Sequence, residues 1–518
     1  MKRRPLILPA CATIALLPGL WLAFRLVADR AGMEQMCLAA TWYDPARCAA
    51  SAMLLRGMLS VGVAGFLAAS TLWLLARKRC VVAASEEALM SSIRGELRSI
   101  PASHRIAIVV MSLIALAIRV PLLSMRMRSD ENQTLLIYTS RSLEAALWQF
   151  DTTNNHILFS VLSRIPVAVF GDAPWSARLI ELIAGVLLIP ATALALRGVR
   201  GVVPALLGAA LVAGLPYLAA ISSNARGYSL VALLFLFAVP LAIRLSARVD
   251  LVGWTLFSTL SALALLTNPT ALYPFGALGV WVFARRVTDS RRMVADVLGG
   301  GVLIGLLSWA MYGPALTAMG TQALFANPWM TPPSWNEFAS SFAITLDGTA
   351  RELWWQWGWG LPAWVMALIV VAMAIALATD SRKDSRARGM LIAMVFWTAV
   401  VAIASHRLPY TRVLMPYLPL LLVAAAGAII TILQRIGLPT LVDSRLPAVG
   451  AVVLALALSL THGAARTVHM TRARAATAHE SLVSSSHACS CLIGDWPFAH
   501  GARAHARSRT ARGHAEHA

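Results

Sequence analysis

Long apolar segments recur along almost the whole chain, and each is close to the length needed to cross a lipid bilayer. The segments cover residues 6–28, 53–76, 106–123, 178–197, 202–221, 228–245, 251–267, 269–284, 294–313, 353–378, 390–405, 412–433 and 446–462. A helix of about 20 apolar residues spans the hydrocarbon core. Only 13% of the residues are charged, against about 25% in soluble domains. The sequence therefore predicts an all-α polytopic membrane protein with about 13 transmembrane helices, and it excludes a soluble enzyme.

The chain has a formal net charge of +20, and its basic residues lie mainly between the apolar segments. If the N-terminus is cytoplasmic, the inner loops hold more than twice as many Lys and Arg residues as the outer loops. Cytoplasmic loops are enriched in these residues, so the charge indicates orientation in a membrane rather than nucleic-acid binding. The outer loops are then residues 29–52, 124–177, 222–227, 314–352 and 406–412.

The first large outer loop, 124–177, is expected to contain two interfacial helices. Residues 157–170 are apolar but are interrupted by Arg164 and Pro166. A helix of this length extends about 21 Å, which is shorter than the hydrocarbon core of about 30 Å. Residues 131–150 have apolar side chains at helical spacing, which predicts a second helix resting on the membrane surface.

The composition divides the chain into three parts. Residues 1–104 are expected to form an N-terminal helical hairpin of two spans and a cytoplasmic linker. Residues 105–462 hold the remaining spans and are expected to form the transmembrane catalytic core. Residues 463–518 are rich in histidine and arginine and have little periodicity, which predicts a poorly ordered tail.

Two adjacent acids, Asp130 and Glu131, follow the span 106–123 on the outer side. They have two explanations. Ser129 can cap a helix whose first turn carries the acids, where they favour the helix dipole. Alternatively, Asp130 is a general base that deprotonates an attacking hydroxyl or amine. The residues alone leave both interpretations open.

Four further polar residues lie in the outer loops. Asn155 and His156 precede the helix at 157–170, where they either hydrogen-bond within the interface or bind an anionic headgroup or a sugar. Arg226 and Arg412 lie in loops with few other cations. Guanidinium groups bind phosphate well, and the alternative is that they anchor helix ends to lipid headgroups.

Other features have ordinary membrane explanations. Arg119 lies near the outer end of a span and can extend its guanidinium to the interface. An aromatic interface belt accounts for Trp354, Trp355, Trp357, Trp359 and Trp364 at the start of the span 353–378. No Cys and His spacing is typical of a metal site. We therefore predict no metal site and no cofactor, although the sequence leaves a divalent metal open.

Several short motifs occur in an order typical of one family of membrane enzymes. They are Asp130-Glu131 after a span, Asn155-His156 before an apolar helix ending in Phe170-Gly171, Arg178 opening a span, Ala225-Arg226-Gly227-Tyr228, and Arg412 in an Arg-x-x-x-Pro segment. With these motifs, residues 105–435 resemble the multispanning GT-C glycosyltransferases. The similarity is to glycosyltransferase family 39, which contains the protein O-mannosyltransferases and the lipid A aminoarabinose transferase. Residues 1–104 and the tail lie outside it.

The resemblance implies a GT-C-type helical bundle that transfers a sugar from a polyprenyl-phosphate carrier with inversion of configuration. The acceptor is a glycan, lipid or protein on the periplasmic face of the bacterial inner membrane. The resemblance places Asp130 as the base with Glu131 beside it. It places the substrate's phosphate and sugar near Asn155, His156, Arg226, Tyr228 and Arg412. Membrane lipids are a further expected partner.

The sequence departs from the aminoarabinose transferase in two places. Asn155 stands where the aminoarabinose transferase has a lysine for phosphate, and no acid is near Arg226 in the sequence.

Two other functions are alternatives to a glycosyltransferase. One is a transporter or flippase for a lipid-linked saccharide, and the other is a non-catalytic relative. A transporter favours ionisable residues within spans and repeated broken helices, whereas the acids here lie almost entirely in loops.

Overall fold

The structure is a computed structural model that describes residues 7–32, 34–35, 65, 79–150, 154–248, 250–286, 291–319, 332–359, 361–379, 385–436 and 447–458. Every regular element within these ranges is a helix, which confirms the all-α prediction. The predicted tail 463–518 and almost all of the predicted span 53–76 lie outside the described residues.

The helices are numbered in chain order. In the first half of the chain they are α1 (Ile7–Ala28), α2 (Arg79–Arg98), α3 (Ala102–Arg119), α4 (Ser129–Gln133), α5 (Leu143–Trp148), α6 (Ile157–Phe170), α7 (Pro174–Ala195), α8 (Arg197–Arg200), α9 (Val202–Gly214) and α10 (Pro216–Ile221). In the second half they are α11 (Tyr228–Ala247), α12 (Leu251–Thr267), α13 (Leu272–Arg286), α14 (Arg291–Met319), α15 (Trp335–Trp357), α16 (Ala363–Thr379), α17 (Ser385–Ser405), α18 (Leu418–Arg435) and α19 (Pro447–Leu458). A π-helical turn, Thr134–Thr139, follows α4, and 3-10 segments, Pro269–Ala271 and Thr411–Tyr417, precede α13 and α18.

Six helical segments of the described chain are long and apolar enough to cross a membrane. They are Ala102–Leu122, Pro174–Arg200, Tyr228–Ala247, Asp296–Gly313, Arg386–Ser405 and Thr411–Arg435. Shorter apolar helices are Ile157–Phe170, Val202–Gly214, Leu251–Thr267, Ala363–Ala376 and Pro447–Leu458. The chain is therefore a multi-pass membrane protein, while the total of about 13 spans stays a prediction.

The bundle is built around α11, which packs against α7, α12 and α13. Small residues allow close helix contacts nearby. A Cβ added at Gly208 of α9 would lie 2.4 Å from a methyl carbon of Val423 on α18. A Cβ added at Gly185 of α7 would lie 2.1 Å from the Cβ of Ser222. Such contacts are typical of helices that associate by van der Waals packing within a membrane.

Hydrogen bonds and ion pairs join loops at each end of the bundle. At one end, Arg197 donates to the carbonyl of Glu96 at 2.9 Å and to the hydroxyl of Ser99 at 2.8 Å. At the other end, α4 meets the loop 222–227 and the 3-10 segment 411–417. We call this second end the acidic-loop end. The segments that share each end are those that the charge pattern assigns to one side of the membrane.

A proline separates α9 from α10, and Arg119 satisfies the carbonyls that this break leaves open. Pro216 has no N–H for the carbonyl of Val212, four residues earlier. Arg119 Nη2 donates to that carbonyl at 3.2 Å, and its Nη1 donates to the carbonyl of Ala213 at 3.0 Å. Its Nε donates to the hydroxyl of Ser222 at 2.8 Å. The prediction that Arg119 extends to the interface is wrong, because the side chain is fully buried.

The stretch 131–150 is not one helix on the membrane surface. It consists of the end of α4, the π-helical turn and α5, with a bend between the last two. Leu135, Tyr138 and Phe150 are all buried inside the protein. The other predicted helix of this loop is confirmed as α6, with bounds at 157 and 170. The loop is therefore folded against the bundle.

The predicted span 353–378 is two helices. α15 ends at Trp357 and α16 begins at Ala363, because Gly358 and Pro362 interrupt the helical pattern. Most of the predicted outer loop 314–352 is helical, since α14 continues to Met319 and α15 begins at Trp335. α15 packs against the 3-10 segment 411–417.

Replacing Arg119 with methionine leaves the buried carbonyls of Val212 and Ala213 without their donor. We expect Arg119→Met to lower the free energy of unfolding by about 3 kcal/mol, because each unsatisfied buried polar group costs about 1–3 kcal/mol. Thermal unfolding of the protein in detergent measures this change. Arg105→Met, at an exposed position of the same helix, is the matched control. Equal stability of the two variants would contradict the capping role.

Candidate functional site

Asp130 and Glu131 are neighbours in α4, but their side chains have different surroundings. Adjacent helical residues point about 100° apart. The Asp130 side chain is 40% exposed, whereas the Glu131 side chain is 2% exposed. Ser129 is the first helical residue, and Arg128 occupies the N-cap position. The expectation that Ser129 caps this helix is therefore wrong.

A buried ion pair fixes Glu131. Arg178 Nε donates to Glu131 Oε1 at 2.9 Å, and Arg178 Nη2 donates to Glu131 Oε2 at 3.0 Å. The backbone N–H of Ala225 also donates to Oε1, at 2.8 Å. Arg178 Nη1 donates to the carbonyls of Leu123 and Met125 at 2.8 and 2.7 Å. The pair therefore joins four parts of the chain: the segment that follows α3, the helix α4, the start of α7, and the loop before α11.

The structure separates the two acids that the sequence groups as catalytic. Both oxygens of Glu131 accept hydrogen bonds, since the backbone N–H of Arg128 donates to Oε2 at 3.0 Å. A buried carboxylate with these partners has no free position for a substrate proton. We therefore assign Glu131 a positioning role and keep Asp130 as the candidate base.

Asp130 faces two guanidinium groups from distant parts of the chain. Arg226 Nη1 donates a hydrogen bond to Asp130 Oδ2. Arg412 Nη1 lies 3.8 Å from the same oxygen. The Arg226 side chain is 5% exposed, whereas that of Arg412 is 43% exposed. Three residues that the sequence singled out therefore lie together in one partly exposed group at the acidic-loop end, which we call the pocket.

The second amino group of Arg226 contacts an amide and an imidazole. Nη2 donates to Asn154 Oδ1 at 2.8 Å and lies 3.4 Å from His156 Nε2. On the other side of the imidazole, Asn268 Nδ2 lies 3.2 Å from His156 Nδ1. These contacts hold the guanidinium in one orientation toward Asp130.

His156 is neutral in this environment. Its side chain is buried, and burial lowers its pKa well below the usual 6.5. The nearby positive charges of Arg226 and Arg412 lower the pKa further, and a hydrogen bond with the backbone of Thr267 offsets part of the effect. Because a guanidinium can only donate, the Nε2 atom that faces Arg226 acts as an acceptor.

Tyr228 supports this arrangement from the first turn of α11. Its ring centroid lies 5.8 Å from Arg226 Cζ and 5.6 Å from the centroid of the His156 ring. The chain enters the helix through Gly227, whose φ is +70°. A Cβ at this position would lie 2.7 Å from the side chain of Thr267. Glycine is therefore required both by the backbone conformation and by the available space.

Asn155 does not reach the pocket, which corrects the prediction that it binds substrate. Its Nδ2 donates to the carbonyls of Ala146 and Gln149 at 2.9 and 2.7 Å. Its Oδ1 accepts from the hydroxyl of Ser160 at 2.8 Å. The adjacent Asn154 takes the place beside Arg226. Neighbouring amides in a loop point in different directions, and the sequence does not indicate which one faces the site.

Glu181 supplies an acid close to the Arg226 segment, where the sequence shows none. It lies on α7 and is fully buried. Its carboxylate accepts hydrogen bonds from the backbone N–H groups of Ser229 and Leu230 at 2.8 and 3.2 Å. A carboxylate at a helix N-terminus satisfies open backbone donors and favours the helix dipole. Glu181 therefore fixes the start of α11, two residues after Arg226.

α15 is attached at both ends to the segment that carries Arg412. Near its C-terminus, the hydroxyl of Thr411 donates to Gln356 Oε1 and lies 3.3 Å from Glu352 Oε1. At its N-terminus, His406 Nδ1 lies 3.0 Å from the carbonyl of Pro333. The tryptophans predicted to form a belt lie at the α15–α16 junction, and Trp354, Trp355 and Trp364 are exposed.

The residues that the sequence did not identify as site components are Asn154, Asn268, Arg178, Glu181 and Glu352. Arg178 belongs to one of the family motifs, and Asn154 directly precedes the Asn155-His156 motif. The sequence gives no signal for Asn268, Glu181 or Glu352. In the described part of the chain, no group of three or more His, Cys, Asp or Glu side chains is placed to hold a metal ion.

Comparisons with known proteins give similarity in structure. No protein-family model matches the chain, and no curated protein matches it. The crystal structure of ArnT from Cupriavidus metallidurans in the apo state is similar with 14% identity and a TM-score of 0.45, over 69% of this chain and 75% of that chain. The cryo-EM structure of arabinosyltransferase EmbB from Mycobacterium smegmatis is similar with 14% identity and a TM-score of 0.40. That match covers 78% of this chain and 42% of EmbB.

Glu131 and Asp130 are expected to respond differently to neutral replacement. Glu131→Gln leaves the buried Arg178 without a counter-charge, which costs about 3–5 kcal/mol. Asp130→Asn changes a pair whose acid is 40% exposed, so solvent screens part of the lost charge and we expect it to cost less than Glu131→Gln. Thermal unfolding in detergent compares them. A larger loss for Asp130→Asn would contradict the positioning role of Glu131.

The lowered pKa of His156 predicts a dependence of stability on pH. Below about pH 6.5 the unfolded chain binds a proton at this residue while the folded protein does not, so stability falls as the pH decreases. We expect the melting temperature to fall more between pH 7.5 and 5.0 in the wild type than in His156→Gln. An identical pH dependence in both proteins would contradict a buried neutral imidazole.

Proposed function

We propose that the chain is a GT-C-type glycosyltransferase that transfers a sugar from a polyprenyl-phosphate carrier to an acceptor hydroxyl or amine. The observation that carries this proposal is the pocket at the acidic-loop end. There, a partly exposed carboxylate lies between Arg226 and Arg412. A base and cations are the two requirements for displacing a polyprenyl phosphate.

The two guanidinium groups suit a phosphate better than a metal ion. Arg226 is held by Asn154 and His156, so its planar donors are already oriented before substrate arrives. Arginine forms strong paired hydrogen bonds with phosphate oxygens. In the structure, Asp130 lies between the two guanidinium groups, in the position that a phosphate oxygen would take. A bound phosphate would therefore compete for Arg226 and release Asp130.

The proposed reaction is a single displacement at the anomeric carbon. The acceptor oxygen or nitrogen forms the new bond to that carbon, and Asp130 takes the acceptor's proton. The bond from the anomeric carbon to the phosphate oxygen breaks, and its electron pair leaves with the phosphate. Arg226 and Arg412 stabilise the charge that develops on the phosphate. Attack opposite the leaving group inverts the configuration.

The location of the pocket suits a substrate dissolved in the bilayer. The polyprenyl chain remains among lipids while its phosphate reaches charged groups at the end of the bundle. The loop charges favour a cytoplasmic N-terminus and a periplasmic pocket in a bacterial inner membrane. A mannose-like donor follows from the resemblance, and the acceptor is a glycan, lipid or protein.

The transporter alternative receives less support from the buried charges. Arg119 and Glu181 do lie within helices of the bundle, but backbone groups at α9 and α11 satisfy both. Their contacts account for them as structural residues. The alternative of a non-catalytic relative depends on whether Asp130 is needed for transfer.

Asp130→Asn tests the proposed base. We expect transfer to fall by about 10²–10⁴-fold, the usual contribution of a general base. Mass spectrometry of glycolipids and glycoproteins, from a deletion strain carrying wild type or variant, identifies the product and measures its loss. Asp347→Asn, an exposed acid paired with Arg351 on α15, is the control. Full product formation by Asp130→Asn would refute the assigned base.

A further inference from the structure

Two buried polar atoms that face each other where α10 meets α15 make no hydrogen bond of good geometry with any described residue. They are the hydroxyl of Tyr217 and Nε1 of Trp357. Tyr217 lies on α10 and is 4% exposed, and Trp357 is the last residue of α15. The indole N–H lies close enough to act on the phenol oxygen, but an indole nitrogen cannot accept a hydrogen bond, so the phenol hydrogen is left without an acceptor among the described residues. Buried polar groups are nearly always paired, and leaving one unpaired costs about 1–3 kcal/mol.

The charged groups around the Tyr217 hydroxyl connect it to the proposed phosphate position. Arg412 and Glu352 both act on this hydroxyl electrostatically, as does the Tyr228 hydroxyl. Thr411 holds Glu352 and Gln356 next to Arg412. Within this group, Glu352 contacts Thr411 and Gln356 through its Oε1 atom.

The chemistry of this group differs from that of the adjacent charged pocket. The indole N–H is a neutral donor, the phenol can donate or accept, and the carboxylate accepts. Together they match sugar hydroxyls, which also both donate and accept. Aromatic side chains with a polar end provide apolar contact and a hydrogen bond to the same ligand.

We infer that Tyr217, Trp357 and Glu352 form the subsite for the sugar ring of the lipid-linked donor. The inference rests on the proposed function, because it takes Arg226 and Arg412 as the phosphate ligands. The donor sugar is bonded directly to that phosphate. Its hydroxyls therefore lie no farther from the guanidinium groups than about the width of one sugar ring. The acceptor approaches the opposite side of the anomeric carbon, where Asp130 takes its proton.

Binding of defined lipids to the full-length protein in detergent tests this subsite. The probes are polyprenyl phosphate and polyprenyl phosphates linked to mannose, glucose, galactose or arabinose. We expect the wild type to bind at least one sugar-linked lipid more tightly than polyprenyl phosphate. We expect Tyr217→Phe to weaken binding of that lipid by about 2- to 13-fold, as the loss of one neutral hydrogen bond implies, and Glu352→Gln by about 10-fold or more, as the loss of a charged acceptor implies. Binding of polyprenyl phosphate should be unchanged.

Stability provides a second measurement on the same variant. Because the hydrogen of the Tyr217 hydroxyl has no acceptor among the described residues, Tyr217→Phe is expected to retain or raise the melting temperature in the absence of added lipid. Tyr410→Phe, which alters an exposed phenol, is the control and should leave both affinities unchanged. A clear fall in the melting temperature of Tyr217→Phe would indicate a structural role and overturn the subsite.

The remaining outcomes separate the subsite from the proposed function. Equal losses for polyprenyl phosphate and the sugar-linked lipid in Tyr217→Phe would make Tyr217 a phosphate ligand and overturn the inference. Unchanged affinity for the sugar-linked lipid in both Tyr217→Phe and Glu352→Gln would also overturn it. Water would then be the hydrogen-bond partner of these polar atoms. If the wild type binds polyprenyl phosphate but prefers no sugar, the subsite fails while the phosphate site stands. If it binds no polyprenyl phosphate, the proposed function fails too.

Discussion

The candidate site depends on the buried ion pair between Glu131 and Arg178. This pair joins α4, the start of α7 and the backbone N–H of Ala225. Asp130 precedes Glu131, and Arg226 follows Ala225, so one interaction places both the carboxylate and the guanidinium that face each other. A buried ion pair with all its hydrogen bonds satisfied gives a single geometry, because every alternative leaves a charge without a partner.

The two neighbouring acids show how environment divides similar residues between roles. Glu131 is enclosed and has all its oxygens occupied, whereas Asp130 reaches solvent and contacts side chains that a phosphate could also use. The buried neutral His156 has a related role. It accepts from Arg226 without adding a positive charge, so the guanidinium stays oriented while the pocket gains no repulsion for a second cation such as Arg412.

Hydropathy predicted the helical class and the 157–170 helix, because the bilayer and the helix repeat impose constraints that are local in sequence. The family motifs indicated seven site residues. Asp130, His156, Arg226, Tyr228 and Arg412 lie together at the pocket, whereas Glu131 and Asn155 make their hydrogen bonds away from it. Whether Asn154 or Asn155 faces Arg226 depends on the path of the loop that carries them, which the sequence does not show. The true partners of Arg119 could not be predicted either, because they depend on how a helix break packs against a distant span.

The attachment of α15 has a mechanical consequence. A helix of 23 residues is about 35 Å long, and this one is fastened near each end to the segment 406–412. The helix and this segment are therefore expected to move together. Contact with a lipid headgroup or an arriving acceptor that tilts α15 would therefore shift Glu352 and Arg412 together.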